Sequence, residues 1–240
     1  MSRVLVTNVR DYTGPGVAAV LLREGHEVLC HDPSFSDEAA RGAFGRDHPG
    51  AVALASRAPE AIAAELDSFG PLDGFVSNDV HPITERPIED IALDDLRATF
   101  ESVLVFPFRL TQLLLPAMKR RRQGSIVFVT SARETRPEPG FAVPTTIRAG
   151  TTAFAKALAK EAAPFEVQVN VVAPNYLHSE MYYPRERFID DPEGRALIAR
   201  TVPFGRLGRP EEVGELVAFL VSGRSRFTTG QVVHFSGGWP

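Results

Sequence analysis

The sequence predicts an α/β fold: a single doubly wound, Rossmann-like domain with a parallel sheet of about seven strands and helices on both faces. Three observations predict it. Short β-branched apolar runs alternate with longer stretches of helical periodicity from one end of the chain to the other. The first strand, turn, helix and second strand fit within about thirty residues, the size of a βαβ unit, which dictates parallel strands and a right-handed crossover. No linker, composition break or repeat interrupts the alternation, so residues 1–240 read as one domain.

Arg3 to Thr7 is a buried strand. Asn8 to Gly16 is a loop, and an amphipathic helix follows over Val17 to Gly25, ended by its glycine. Glu27 to His31 is the second strand. Asp37 to Phe44 tolerates a helix, and Val52 to Leu54 is a short third strand. Pro59 opens a helix to Phe69, because a proline in the first turn sacrifices no hydrogen bond. Leu72 to Ser77 is the fourth strand, closed by Asn78-Asp79, and Val80 to Pro87 is a loop. Leu93 to Met118 carries one long helical pattern with a kink expected at Pro107. Ser125 to Val129 is the fifth strand, Thr145 to Glu161 a helix and Val167 to Ala173 the sixth strand. Pro174 to Pro210, rich in Pro, Asp and Arg, reads as irregular. Glu211 to Val221 is a helix opened by Pro210, and Gln231 to Phe235 is the last strand.

Composition bounds the function. A chain of 240 residues, 44% of them hydrophobic, builds a core without disulfide or metal staples. The net charge of −4 argues against nucleic acid as a partner. The one basic run, Lys119 to Arg122, ends a helical pattern, where cations complement the helix dipole. The single cysteine, Cys30, permits no internal disulfide and fits a reducing compartment. The amino terminus runs directly into a strand, and no stretch reads as long and apolar enough to span a bilayer. A cytoplasmic location without membrane attachment is expected.

In a doubly wound sheet, sites form at the carboxyl ends of the strands. The fifth strand ends in Thr130-Ser131, and the next helix presents Arg148. A strand-end serine followed by a helix bearing a basic residue resembles the active site of short-chain dehydrogenases/reductases. That resemblance implies a catalytic tyrosine four residues before the basic residue, and Pro144 stands there. No tyrosine lies between Ser131 and Arg148; Thr145, Thr146, Glu134 and Glu138 are thin substitutes. Arg133 stands close enough to put a charge near the pocket or to point to solvent with Arg136.

The first loop is a poor dinucleotide cradle. Only Gly14 and Gly16 remain of the glycines such a loop needs, Asn8 and Tyr12 bring side chains, and Pro15 removes an amide. Thr7, Tyr12 and Gly14, at their spacing, resemble the corresponding motif of halohydrin dehalogenases. Val28 to Asp32 with Ser34-Phe35, Val76 to Asp79, and Pro174 to Glu180 are similar to further segments of that family. Gly205 to Gly208, Thr229 to Gln231 and Gly237 to Trp239 resemble the wider superfamily.

The resemblance implies a cofactor-independent carbon–halide lyase that interconverts vicinal halohydrins with epoxides and halide, and opens epoxides with small anions in reverse. It implies Ser131 as the substrate-binding serine and Arg148 as the cation that lowers the pKa of the missing tyrosine. It places the halide against Tyr12, Pro174, Asn175, Tyr176 and Leu177, with Asp79 supporting Arg148 or capping its own turn. It implies no cofactor and no metal. The partners expected are a halohydrin or epoxide, a halide or other small anion, and further copies of the chain as a dimer or tetramer. The oligomer would pair through the long helices, where Ala149, Ala153, Ala157 and Leu158 recur. Pro144 leaves two alternatives open: a catalytically silent binding protein on the same fold, and an NAD(P)-dependent oxidoreductase.

Overall fold

A computed structural model describes residues 1–82 and 85–240. Seven strands form one parallel sheet in the order β3-β2-β1-β4-β5-β6-β7. They are β1 Arg3–Val6, β2 Glu27–Cys30, β3 Ala51–Ala53, β4 Gly74–Ser77, β5 Gly124–Val129, β6 Val167–Pro174 and β7 Val232–Phe235. The helices are α1 Gly14–Arg23, α2 Glu38–Asp47, α3 Pro59–Leu66, α4 Leu93–Phe100, α5 Phe106–Arg121, α6 Ala142–Ala162, α7 Pro192–Thr201 and α8 Pro210–Val221. The chain reverses its direction of winding between β1 and β4, which opens a crevice at the carboxyl ends of these strands.

Successive strand side chains point to opposite faces, and the sequence uses both. Val4, Val6, Val28, Cys30, Val127 and Val129 face one core with α1 and α8. Leu5, Leu29, Phe75, Ile126 and Phe128 face the other with α3, α5 and α6. Gly16 and Gly214 let α1 and α8 cross closely: a Cβ on Gly16 would lie 1.9 Å from the Pro210 carbonyl oxygen, and one on Gly214 2.4 Å from that of Gly16.

Two expectations are corrected and two sharpened. The segment from Pro174 to Pro210 is not irregular throughout, because it contains α7. The Asp191 carboxylate accepts from the Gly194 amide at 2.7 Å, and Pro192 opens the first turn. A small core of Ile198, Val202, Leu207, Tyr176, Tyr183 and Trp239 ties this helix to the strand ends. The second correction concerns Leu93–Arg121, one continuous helix whose length and composition do suffice for a membrane span. In the fold it packs through Leu110, Leu114 and Met118 into the second core.

The kink expected at Pro107 takes the form of a wide turn over Glu101–Val105, in which the Phe106 amide reaches back to Glu101. The Val103 carbonyl, which an amide at position 107 would otherwise serve, accepts from the Thr151 hydroxyl at 3.1 Å. Helix α6 begins at Ala142 rather than Thr145, so Pro144 sits third in the helix, where its missing N–H leaves no orphan. The expected loop over Val80 to Pro87 passes through Ile83 and Thr84, outside the described residues.

Candidate active site

Ser131 follows β5 in extended conformation and caps a short turn, its Oγ accepting from the Arg133 amide at 3.2 Å. The hydroxyl proton is thereby left to donate elsewhere. Thr152 of α6 donates to the Thr130 hydroxyl at 3.1 Å, and Arg148 donates to the Val129 carbonyl at 2.7 Å. These bonds lock the helix against the strand end, so Ser131 and Arg148 share one rigid wall. Arg148 is buried, and its charge is met by a carbonyl rather than a carboxylate. Such a guanidinium favours negative charge forming beside it.

A cavity of about 50 Å³ opens at this wall. Ser131, Pro144, Arg148, Tyr12, Pro174 and Asn175 line it. Tyr176 and Leu177 do not line it. Tyr176 adopts positive φ, which turns its ring onto Tyr183 and Trp239, and Leu177 is buried in the first core. The structure adds Thr130, Arg133, Thr145, Tyr182 and Tyr183. Tyr182 and Tyr183 lie far along the chain from Ser131, in the segment read as irregular, and no spacing rule connects them to it. A roomier cavity, about 490 Å³, lies at the opposite strand ends beside Ser2, Asp73 and Ser125, and borders none of these groups.

Arg133 points inward. Its guanidinium pairs with Glu138 at 2.6 Å, donates to the Tyr183 hydroxyl at 3.3 Å and stacks over the Phe141 ring at 3.9 Å. Glu138 thus clamps the loop and stays off the cavity wall. Tyr183 in turn donates to the Asn175 Oδ1 at 3.1 Å, which also accepts from the Tyr176 amide at 3.0 Å. With its oxygen fully engaged, Asn175 turns its Nδ2 into buried space without a partner among the described residues. A buried amide donor left unpaired calls for an acceptor.

The first loop is held by Asn78. Its Oδ1 accepts from the Thr13 hydroxyl at 2.6 Å, and its Nδ2 donates to the carbonyls of Asn8 and Asp11, each at 2.9 Å. Asn8 and Tyr12 both take positive φ, and the Tyr12 ring meets Tyr182 edge to face at 5.2 Å. A Cβ on Gly14 would lie 2.5 Å from the Val9 carbonyl oxygen. The two glycines of this loop therefore serve close backbone packing. Asp79 accepts from Asn8 at 2.9 Å and from Ser77 at 2.6 Å. Of its two expected roles, the structure gives it the tie within the strand-end turns in place of a hydrogen bond to Arg148. Burial raises its pKa to about 6, with Ser77, Asn8 and Arg148 opposing the rise. Burial also raises the phenols of Tyr12 and Tyr182 above the usual tyrosine range, while Arg148 pulls both back.

The family described as enoyl-(acyl carrier protein) reductase matches residues 13–240. The 3-oxoacyl-[acyl-carrier-protein] reductase FabG of Vibrio cholerae is 32% identical over 98% of this chain and 95% of its own. The chain belongs to the short-chain dehydrogenase/reductase superfamily. Among solved structures of the superfamily fold, halohydrin dehalogenase HheC bound to ethyl (2S)-oxiran-2-ylacetate is 38% identical. Its TM-score is 0.95, with 100% of this chain and 97% of that one covered. A chain described as a dehalogenation enzyme is 36% identical with a TM-score of 0.94, covering 100% of this chain and 98% of that one. A 3-oxoacyl-[acyl-carrier protein] reductase with bound NAD from Brucella melitensis is 26% identical with a TM-score of 0.83, over 99% of this chain and 90% of that one.

Proposed function

We propose that the chain is a cofactor-independent carbon–halide lyase of the halohydrin dehalogenase kind. It interconverts vicinal halohydrins with epoxides and halide, and lets small anions open epoxides. One observation carries the reading: Ser131, the buried Arg148, which has no carboxylate partner among the described residues, and Asn175, whose amide donor is unpaired among those residues, line one small cavity. The likeness to the dehalogenase structures supports it.

The geometry suggests the division of labour. Ser131 donates to the substrate oxygen. Arg148 stabilises the negative charge on that oxygen, or on the group that takes its proton. Asn175 Nδ2 offers a hydrogen bond to the leaving halide, with Pro174 and the Tyr12 ring as its apolar neighbours. A weakly hydrated anion is well served by amide donors and ring edges without a full countercharge. Tyr183, itself bonded by Arg133, holds Asn175 in position by donating to its amide oxygen.

A nicotinamide dinucleotide fits these residues poorly. The Tyr12 ring stands in the crevice, the Asn8 side chain is tied to Asp79, Pro15 withholds an amide from the first turn of α1, and the cavity is far below the several hundred Å³ of an ordinary cofactor site. No step is therefore written through a hydride. The oxidoreductase alternative keeps one observation in its favour, the FabG-type names of the curated relatives. It predicts that NADH or NADPH raises the melting temperature and quenches Trp239, which packs against Tyr176 at 5.4 Å.

The proposal extends to a homo-oligomer paired through α4–α5 and α6, where Phe100, Phe108, Ala153 and Ala157 are exposed, and to a cytoplasmic setting in which Cys30 stays reduced. Incubating the protein with a vicinal bromohydrin and titrating released bromide tests the activity. Release that a Ser131→Ala variant fails to match supports the lyase; release no greater than that variant's overturns it.

A further inference from the structure

The cavity contains more proton chemistry than position 144 supplies. Pro144 carries no ionisable group, yet Tyr182 reaches the same cavity from the segment after β6. Arg148, the cation that the superfamily pattern pairs with the tyrosine of α6, here lines the same cavity as Tyr182, and its charge opposes the rise that burial gives the phenol's pKa. That hydroxyl donates to the His81 carbonyl at 3.2 Å, a long bond that can be exchanged for a better acceptor at small cost. The Tyr182 ring is fixed by its edge-to-face contact with Tyr12, and its amide by the Ser179 hydroxyl and carbonyl. The other tyrosines of the cavity are less suited. Tyr183 is committed to Asn175 and Arg133, and Tyr12 meets Arg148 only through space.

We propose that Tyr182 is the proton-transfer residue of this site, replacing the tyrosine that Pro144 displaces. The proposal rests on the lyase reading above. In epoxide opening, an anion attacks one ring carbon, the C–O bond breaks, and the oxygen takes the proton of the Tyr182 phenol. The phenolate is stabilised by Arg148 and regains a proton from water. In closure, the Tyr182 phenolate takes the substrate hydroxyl proton, the alkoxide forms the new C–O bond, halide leaves with the C–X electron pair, and the phenol returns its proton to water. Ser131 holds the same oxygen in both directions.

The groups facing the phenol are Arg148, Arg133, Asp11 and Tyr12. Burial keeps the resting phenol protonated, and Asp11 adds to that while the two arginines oppose it. At neutral pH Tyr182 is therefore a proton donor. Epoxide opening should run on a neutral plateau, while closure should climb with pH well beyond neutrality.

The test uses a terminal epoxide with azide for opening and a vicinal bromohydrin for closure, in wild type, Tyr182→Phe, Pro144→Tyr and the Pro144→Tyr/Tyr182→Phe double variant. The expected result is turnover by wild type and a loss of about 10²-fold or more in kcat, with KM little changed, in Tyr182→Phe. Recovery of activity in the double variant would show that Tyr182→Phe is folded and lacks only its proton carrier. Wild-type turnover that survives Tyr182→Phe overturns the role of Tyr182 and leaves the lyase reading standing. An inactive wild type with an active Pro144→Tyr variant overturns both the role of Tyr182 and the lyase reading of the wild-type chain. Inactivity of wild type and Pro144→Tyr alike overturns both.

Discussion

The loop after β1 and the segment after β6 both close the cavity, and they are built on opposite principles. In the first, polar groups are matched to one another: Asn78 serves Thr13, Asn8 and Asp11, and Asn8 serves Asp79. In the second, aromatic rings pack together and a polar chain runs from Arg133 through Tyr183 to Asn175, where it ends on a donor with no partner among the described residues. A closed polar network specifies shape; an open one specifies a ligand. The first loop therefore acts as scaffold and the second as receptor.

Breaking the scaffold should have the largest effect. Asn78→Ala takes the acceptor from the buried Thr13 hydroxyl and amide and a donor from each of the half-buried Asn8 and Asp11 carbonyls, and is expected to lower unfolding free energy by about 3–5 kcal/mol. Urea denaturation measures it, and a loss below about 1 kcal/mol would mean the network is dispensable.

Next comes Asp79, the charge within the scaffold. Its folded pKa of about 6 lies above the usual 3.8, so the folded chain holds its proton more tightly than the unfolded one. Its contribution is fully present below about pH 4 and is lost as pH rises to 6. Asp79→Asn should therefore gain stability relative to wild type between these limits, by at most about 3 kcal/mol at pH 8. Parallel stability profiles for the two proteins would refute this.

Opening the receptor should cost less stability and more binding. Bromide in excess of its dissociation constant should raise the wild-type melting temperature by a few degrees, and Asn175→Ala should remove most of that rise. An equal bromide shift in the variant would move the anion elsewhere.

The smallest effect is expected outside both regions. His31, buried and stacked on Phe106 at 5.3 Å, has both ring nitrogens unpaired and a pKa pushed down by burial to about 4. Its stabilisation is present above about pH 6.5 and lost as pH falls to 4, the reverse slope to Asp79. His31→Leu should flatten acid unfolding and leave the pH 8 melting temperature nearly unchanged.

The sheet was readable because both faces of its central strands are largely apolar and the turns are punctuated by glycine, proline and asparagine. Ser131, Arg148, Tyr12, Pro174 and Asn175 were readable because each is placed by a strand end or the helix after it. What escaped depended on local geometry or long-range packing. Helix α7 carried a legible Asp191-Pro192 start, but the surrounding prolines and charges masked its short apolar face. Tyr176 and Leu177 were assigned to the cavity by their position in a motif, whereas one left-handed residue turns them away. Arg133 faces inward because Glu138 and Phe141, later in its own loop, fold back onto it. Tyr182 reaches the cavity only because α7 and the small core around Trp239 fold its segment back over the strand ends.

The crossing of Gly16 with Gly214 has a consequence for the order of assembly. The first loop is shaped against a helix that lies near the other end of the chain, with the Pro210 backbone lodged beside α1. Contacts so distant in sequence carry a large loop-closure entropy and form late in folding. A nascent chain still lacking α8 can pair its first strands, but the Tyr12 wall then has no backing. Competence to bind an anion should accordingly appear in the slowest refolding phase, together with burial of the last helix, and not with formation of the sheet.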